Sequence, residues 1–290
     1  MKLINYITAL ITGIALTSCL GESTNIYTQD YSSYIFDSVT DNETSATVLS
    51  TSSTLKVKTD GNTGKVSIEI NNLELPGSAG YINLNIPDRA VTITEDGAQR
   101  VYIPAVTSVA NGQTHTVTGF EMKTYLRYLN GQAYNLLVLS YDVDSKYSVR
   151  SIFSPAYYWG TTVVVDGDGK SYTNDAQTSF YGFGFDPEKK TAKIGLVNAK
   201  FAENMPAMSM TFEEVPVTFG PNYFTIAAGE VTPKINNVPF PSYKITDLNV
   251  SGNYDGPVSI RFTCTIDTEK MKGSYQVTAQ LYVFPPKTQN

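Results

Sequence analysis

Histidine and cysteine are nearly missing from this chain of 290 residues: His115 is the only imidazole, and Cys19 and Cys264 are the only thiols. A single imidazole excludes His-rich metal centres and any chemistry that needs two histidines. Charge is sparse too, at 17% of residues, with 21 Lys and Arg against 27 Asp and Glu. With a net charge of −6 and no basic cluster longer than Lys189-Lys190, the chain lacks the electrostatic footprint for a phosphate backbone, so nucleic acid is not expected as a partner. The N-terminal apolar run, Leu3 to Leu16, has 14 residues and is too short to span a bilayer. What abounds is aromatic: 20 Tyr and 13 Phe, in a composition 41% hydrophobic, favour sheets over helix bundles.

Lys2, the apolar run and the ending Leu16-Thr17-Ser18-Cys19 have the basic start, hydrophobic stretch and small-residue site of an export signal. The Leu-x-Ser-Cys ending resembles a bacterial lipobox, which implies that Cys19 is diacylated on sulfur and becomes the mature N-terminus. Leu20 rather than Asp follows the cysteine, and by the same resemblance the outer membrane is expected over inner-membrane retention. With Cys19 acylated, Cys264 has no disulfide partner and the exported chain must be held by its core alone. Ile260, Phe262, Cys264 and Ile266 alternate onto one strand face, which predicts a buried structural thiol.

Sliding the sequence along itself reveals a repeat. At an offset of 126 residues, Asp60 falls on Asp186, Ile68 on Ile194, Ile70 on Leu196, Asn72 on Asn198, Leu84 on Met210, Ile86 on Phe212 and Val91 on Val217, without a gap. Further on the offset drifts: Val117-Thr-Gly-Phe120 meets Ile245-Thr-Asp-Leu248, and Leu137, Leu139, Tyr141 and Asp142 meet Phe262, Cys264, Ile266 and Asp267. A period this long indicates duplicated domains rather than a solenoid. The expected organisation is a signal peptide over 1–18, a lipidated tether over 19–30, a first β domain over 31–152 and a second over 153–285.

Within each half, alternating segments such as Val66-Ser-Ile-Glu-Ile70 and Tyr275-Gln-Val-Thr-Ala-Gln-Leu281 are punctuated by turn pairs such as Asp60-Gly61, Asn111-Gly112 and Asp166-Gly167. This predicts an all-β chain of two tandem antiparallel barrels or sandwiches, six to eight strands each. A helix is conceivable between Gly119 and Asn130, but its repeat partner Ile245-Thr-Asp-Leu-Asn-Val250 alternates, which favours a strand in both. The lipobox, the repeat, the opening Tyr157-Tyr-Trp-Gly-Thr and the run from Thr191 to Phe201 together resemble bacterial lipoproteins with tandem calycin-like, lipocalin-like β-barrel domains of unassigned function. The lipocalin Gly-x-Trp signature is absent, since Gly160 follows Trp159.

Four places could carry chemistry. Asp166-Gly-Asp-Gly-Lys resembles the start of a calcium loop, but Lys170 stands where an oxygen ligand belongs and Gln177 where a closing Glu belongs, so a hairpin turn is the plainer reading. His115 has no Gly-x-Ser-x-Gly elbow to serve and reads as a solvated histidine. Glu213-Glu214, or Asp142 with Asp144, are the carboxylate pairs a glycoside hydrolase would need. Tyr157, Tyr158 and Trp159 form the densest aromatic cluster and are the candidate binding residues, suited to sugar faces or apolar ligands, although a strand must point one of them away from the other two.

The reading is a non-enzymatic lipoprotein held at the outer membrane through its N-terminal lipid, without cofactor or metal, binding an unidentified glycan, lipid or protein. The alternatives are a fimbrial-type structural subunit, disfavoured because no Lys or Arg lies between Cys19 and Lys56 for maturation cleavage, and a carboxylate-based envelope hydrolase.

Overall fold

The computed structural model describes residues 26–31, 35–77, 80–95, 97–129, 132–153, 156–174, 179–202, 205–220, 223–254 and 256–283; Cys19 and the expected signal peptide lie outside them. The described residues form strands and turns only, and the chain divides into two compact units, Met1–Ser154 and Pro155–Asn290.

The first unit contains β1 (Ile26–Tyr31), β2 (Ile35–Asp41), β3 (Thr47–Ser50), β4 (Thr54–Asp60), β5 (Lys65–Glu74), β6 (Tyr81–Ala90), β7 (Thr92–Ile93), β8 (Gln99–Ala110), β9 (Gln113–Leu129), β10 (Gln132–Val143) and β11 (Tyr147–Phe153). Its ladders run β1-β4-β5-β6 and β3-β2-β11-β10-β9-β8-β7, all antiparallel, and β7 carries the line of β6 onward after Val91, so the two ladders form one meander. The stretch around residue 120, expected as a strand from its repeat partner, is strand β9. Ile26–Tyr31, most of which falls in the expected tether, pairs residue for residue with β4 and covers its edge.

The second unit contains β12 (Ala156–Trp159), β13 (Thr162–Asp166), β14 (Ser171–Asn174), β15 (Phe180–Asp186), β16 (Thr191–Ala199), β17 (Met208–Phe219), β18 (Tyr223–Val231), the short hairpin β19 (Lys234–Ile235) and β20 (Val238–Pro239), then β21 (Tyr243–Asn253), β22 (Val258–Asp267) and β23 (Lys272–Leu281). The ladder runs β12-β15-β16-β17-β18-β21-β22-β23-β13-β14, and it closes on itself. Trp159, paired with Phe180 of β15 on one side, exchanges both backbone hydrogen bonds with Tyr282 on the other, at 2.7 and 2.8 Å. The result is an up-and-down barrel joined at this bridge, with β14 paired to β13 alone. At the break in the first strand, between β12 and β13, stands Gly160. An added Cβ there would lie 2.1 Å from the Gln280 carbonyl oxygen, so only glycine lets the strand hug β23 while changing its other partner from β15 to β14.

The duplication extends to irregularities of backbone. Asn72 and Asn198, 126 apart, both take positive φ (56° and 54°) at a bulge, and the bulged N–H is received by Asn83 Oδ1 in the first unit and by Ser209 Oγ in the second. Gly119 and Asp247 likewise both take positive φ, at bulges between β9 and β10 and between β21 and β22. These second bulges correct one detail of the repeat. They set Ser140 against Arg261 and therefore Tyr141 with Phe262, four residues away from the match with Ile266 expected from the sequence. A slip by an even number leaves every side chain on its proper face, so hydrophobic alternation alone could not detect it. Physically, β9 and β10 are prolonged at one barrel end, and β22 and β23 at the other.

Inward positions alternate with outward ones along nearly every strand, as in β22, where Val258, Ile260, Phe262, Cys264 and Ile266 are all buried. Both units are filled with packed side chains. Where the first strand breaks, each unit carries a buried polar contact in its wall. In the second, Thr162 Oγ1 and Tyr181 Oη lie 2.7 Å apart. In the first, the equivalent position is Asp37, only 1% exposed, whose two carboxylate oxygens accept the hydroxyls of Ser53 and Ser151.

Burial pushes the Asp37 carboxyl up to about 6, and its two hydroxyl donors oppose that rise only in part. A folded-state value above the ordinary 3.8 means that the neutral acid suits the fold; the stability is fully present below pH 3.8 and is lost as pH rises through about 6. Ionisation of Asp37 at neutral pH is expected to cost the first unit about 3 kcal/mol. Chemical denaturation of the wild type and Asp37→Asn across pH 4 to 8 checks this: the stability gap between them should widen with rising pH in favour of the asparagine, and a constant gap would refute it.

Candidate functional site

The two ends of the second barrel differ. At the end where β12 begins, aromatic side chains make a plug. Tyr158 Oη donates to the Tyr254 carbonyl at 2.7 Å and Tyr254 Oη to the Gly220 carbonyl at 3.0 Å, which ties the strand start to two turns. Phe224 stacks on Tyr254 with 5.8 Å between ring centroids and meets Phe185 edge-on at 4.9 Å. Phe183 packs against both Tyr158 and Phe224.

The other end opens into a cavity of about 690 Å³, within the range of small-molecule sites. Its walls are Tyr172 of β14, Tyr243 of β21 and Tyr275 of β23, with Ala202, Met205 and Pro206 from the β16–β17 connection and Met271 from the β22–β23 turn. Asp166, Lys170, Glu269 and Lys270 stand around it. Extension of the β22–β23 hairpin at this end, where β10 of the first unit stops one residue past Asp142, raises one wall.

The loops around the mouth are held internally. Asp166 Oδ1 accepts the N–H groups of Asp168 and Lys170 at 3.0 and 2.8 Å, which makes the suspected calcium loop a hairpin turn. The Phe201 N–H donates to Met205 Sδ at 3.3 Å, and Met205 N to the Ala202 carbonyl at 3.0 Å. Thr268 Oγ1 donates to the Met271 carbonyl and receives the Met271 N–H, both at 3.0 Å. Gly273 leaves room for the Tyr275 ring, whose hydroxyl would lie 2.9 Å from any Cβ placed there.

Burial pushes the Tyr172 phenol well up, and the neighbouring Tyr181, Tyr275 and Cys264 add to the rise; Tyr243 is raised by burial and then by Cys264 and Tyr275. Cys264 itself is fully buried, as expected, and burial pushes its thiol up to about 12. Tyr172 and Tyr243 therefore present protonated phenols that stack and donate hydrogen bonds, and the Cys264 thiol, buried behind the cavity lining, is held in its unreactive form. Tyr172 Oη is buried with no hydrogen-bond partner among the described residues.

The residues singled out from the sequence lie elsewhere. Tyr158 is completely buried in the plug, and Trp159 is 2% exposed. Tyr157 and Trp159 gather on Phe180, with centroids 5.7 and 5.5 Å away, so it is Tyr158 that points away from the other two. His115 is pinned rather than solvated: its Nδ1 lies 2.8 Å from Asp144 Oδ2, whose Oδ1 accepts the Thr116 N–H at 2.8 Å. Asp142 accepts the Ser148 hydroxyl at 2.7 Å, so the two carboxylates face different partners. Glu213 is bridged by Lys234 and by Lys193, the latter at 3.0 Å, and these ammonium groups hold its carboxyl below the ordinary value, unlike a general acid. Among the described residues no group of three His, Cys, Asp or Glu is placed to hold a metal ion.

No family model matches this chain, and no curated protein matches it either. Distant likenesses exist among solved structures. A Bacteroides fragilis protein provisionally named as an outer membrane protein matches at 13% identity, over 87% of this chain and 96% of that one, with a TM-score of 0.34. Transferrin binding protein B from Neisseria meningitidis matches at 9% identity, over 89% and 77%, with a TM-score of 0.25. A Nostoc punctiforme protein of unknown function matches at 8% identity, over 86% and 94%, with a TM-score of 0.21. At these values the likenesses assign neither a family nor a function.

If Trp159 belongs to the packed wall, Trp159→Ala should destabilise the second unit by about 3–5 kcal/mol, whereas Tyr275→Ala, at the half-buried mouth, should cost less than half as much. Thermal or urea denaturation of both variants checks the contrast.

Proposed function

We propose that this chain is a non-enzymatic lipoprotein of the cell envelope, anchored at the outer membrane through Cys19, whose second barrel receives a small ligand at its open end. The observation that carries the ligand reading is the asymmetry of the barrel: one end sealed by hydrogen-bonded aromatics, the other holding a cavity of about 690 Å³ with internally braced walls. Braced loops lose little freedom when a ligand arrives, so contact energy goes into affinity. The protonated phenols and thiol, and the separately engaged carboxylates, support binding over turnover.

Two experiments test the two parts. Palmitate labelling in an expressing Gram-negative host should mark the wild type and leave Cys19→Ala unlabelled and soluble; equal labelling would overturn the anchor. For the mouth, the purified chain is screened by thermal shift against envelope glycans, fatty acids and calcium, beside Met271→Trp, which fills the cavity from its rim. A ligand should raise the wild-type melting temperature and fail to raise that of the variant. A flat screen, or a shift that survives Met271→Trp, would overturn the mouth as the ligand site.

A further inference from the structure

We infer that the mouth of the second barrel takes a short neutral oligosaccharide laid across it, rather than an acyl chain or an anion; this rests on the mouth being the ligand site. Depth is the first reason. Directly beneath the opening the bore is occupied: Cys264 and Ile266 are fully buried, and Phe201 meets Phe262 edge-on at 5.5 Å, which in turn meets Phe212 at 5.9 Å. A fatty chain needs a long apolar channel to withdraw from water, and that channel is filled with side chains. A ligand here must be broad and shallow.

The lining is the second reason. Phenol rings combine a flat apolar face, on which the C–H face of a pyranose can stack, with a hydroxyl at the ring edge. Tyr172, Tyr243 and Tyr275 bring three such rings to one opening, and the methionines between them are adaptable apolar surface. The buried Tyr172 hydroxyl has no partner among the described residues, and leaving such a donor unmet is costly. A ligand oxygen would meet it. A purely hydrocarbon ligand would leave it unmet.

Charge is the third. The rim carries Asp166 and Glu269 against Lys170 and Lys270, two of each sign. No excess of positive charge gathers there for a phosphate, a sulfate or a carboxylate, and Asp166 already has one oxygen committed to its own turn. Polyhydroxylated, uncharged and with apolar faces describes a sugar.

Calorimetry on the purified full chain, against an array of neutral tri- and tetrasaccharides of glucose, mannose, galactose and N-acetylglucosamine, tests this, with palmitate and inorganic phosphate as the rival probes. At least one neutral sugar should saturate the wild type. Tyr172→Phe should weaken that sugar about five- to tenfold, the worth of one neutral hydrogen bond, without lowering the melting temperature, since the hydroxyl it removes has no internal partner. Saturation by palmitate or phosphate but by no sugar, lost in Met271→Trp, would overturn the sugar and keep the mouth. Equal sugar affinity in wild type and Tyr172→Phe would remove the donor on which the inference stands. Silence of every sugar would overturn it outright, and silence of palmitate and phosphate as well would overturn the mouth with it.

Discussion

An antiparallel meander becomes a barrel only if its first strand can serve two neighbours at once, and the second unit meets this demand by breaking that strand. β12 pairs with β15, β13 pairs with β14, and both halves reach β23, the Trp159–Tyr282 pair making the final link. The break needs a residue without a side chain, because the chain passes so close to the Gln280 carbonyl at Gly160. It also needs a polar staple in a place from which water is excluded. Thr162 and Tyr181 supply one in the second unit, and Asp37 with Ser53 and Ser151 supplies it in the first. The two staples use unrelated side chains for one mechanical task, and the buried Asp37 carboxyl is expected to make the first unit sensitive to pH.

Closure also decides where a ligand could enter. With the ladder joined at Trp159 and Tyr282, the two ends of the barrel are the places where a ligand meets its interior. Tyr158, Tyr254 and their phenylalanine neighbours seal one end. At the other, the β22–β23 hairpin runs on past its counterpart in the first unit and raises a wall. The lengthened hairpin, the braced turn at Asp166 and the Met205 loop then form a rim around three tyrosines.

Much of the scaffold was legible from the residues. Alternation identified the strands, resolved the ambiguous stretch around residue 120 through its repeat partner, and placed Cys264 with Ile260, Phe262 and Ile266 on a buried face. The offset of 126 matched Asn72 with Asn198, and in the structure both stand at bulges with positive φ. Alternation has a period of two, however, and a shift of four leaves it unchanged, which is why Tyr141 was paired with the wrong partner. Density of aromatic residues in sequence did not mark the open end: Tyr158 and Trp159 are buried, and Tyr157 and Trp159 gather on Phe180. His115 looked solvated because Asp144, the residue that pins it, arrives from a turn that is distant in sequence.

The tyrosines of the mouth had only a faint signature, each lying on an inward-facing position within a few residues of a turn. Tyr172, Tyr243 and Tyr275 are spread over a hundred residues of chain, and nothing local connects them. Residue order by itself determined what depends on neighbours one or two positions away: strand faces, turns, the all-β class, and the self-similarity that marks a duplication. Tertiary structure alone decided the rest, which end is sealed, which is open and which side chains meet there, because those outcomes depend on register and strand length summed around a closed ladder, and no segment of the chain carries that sum.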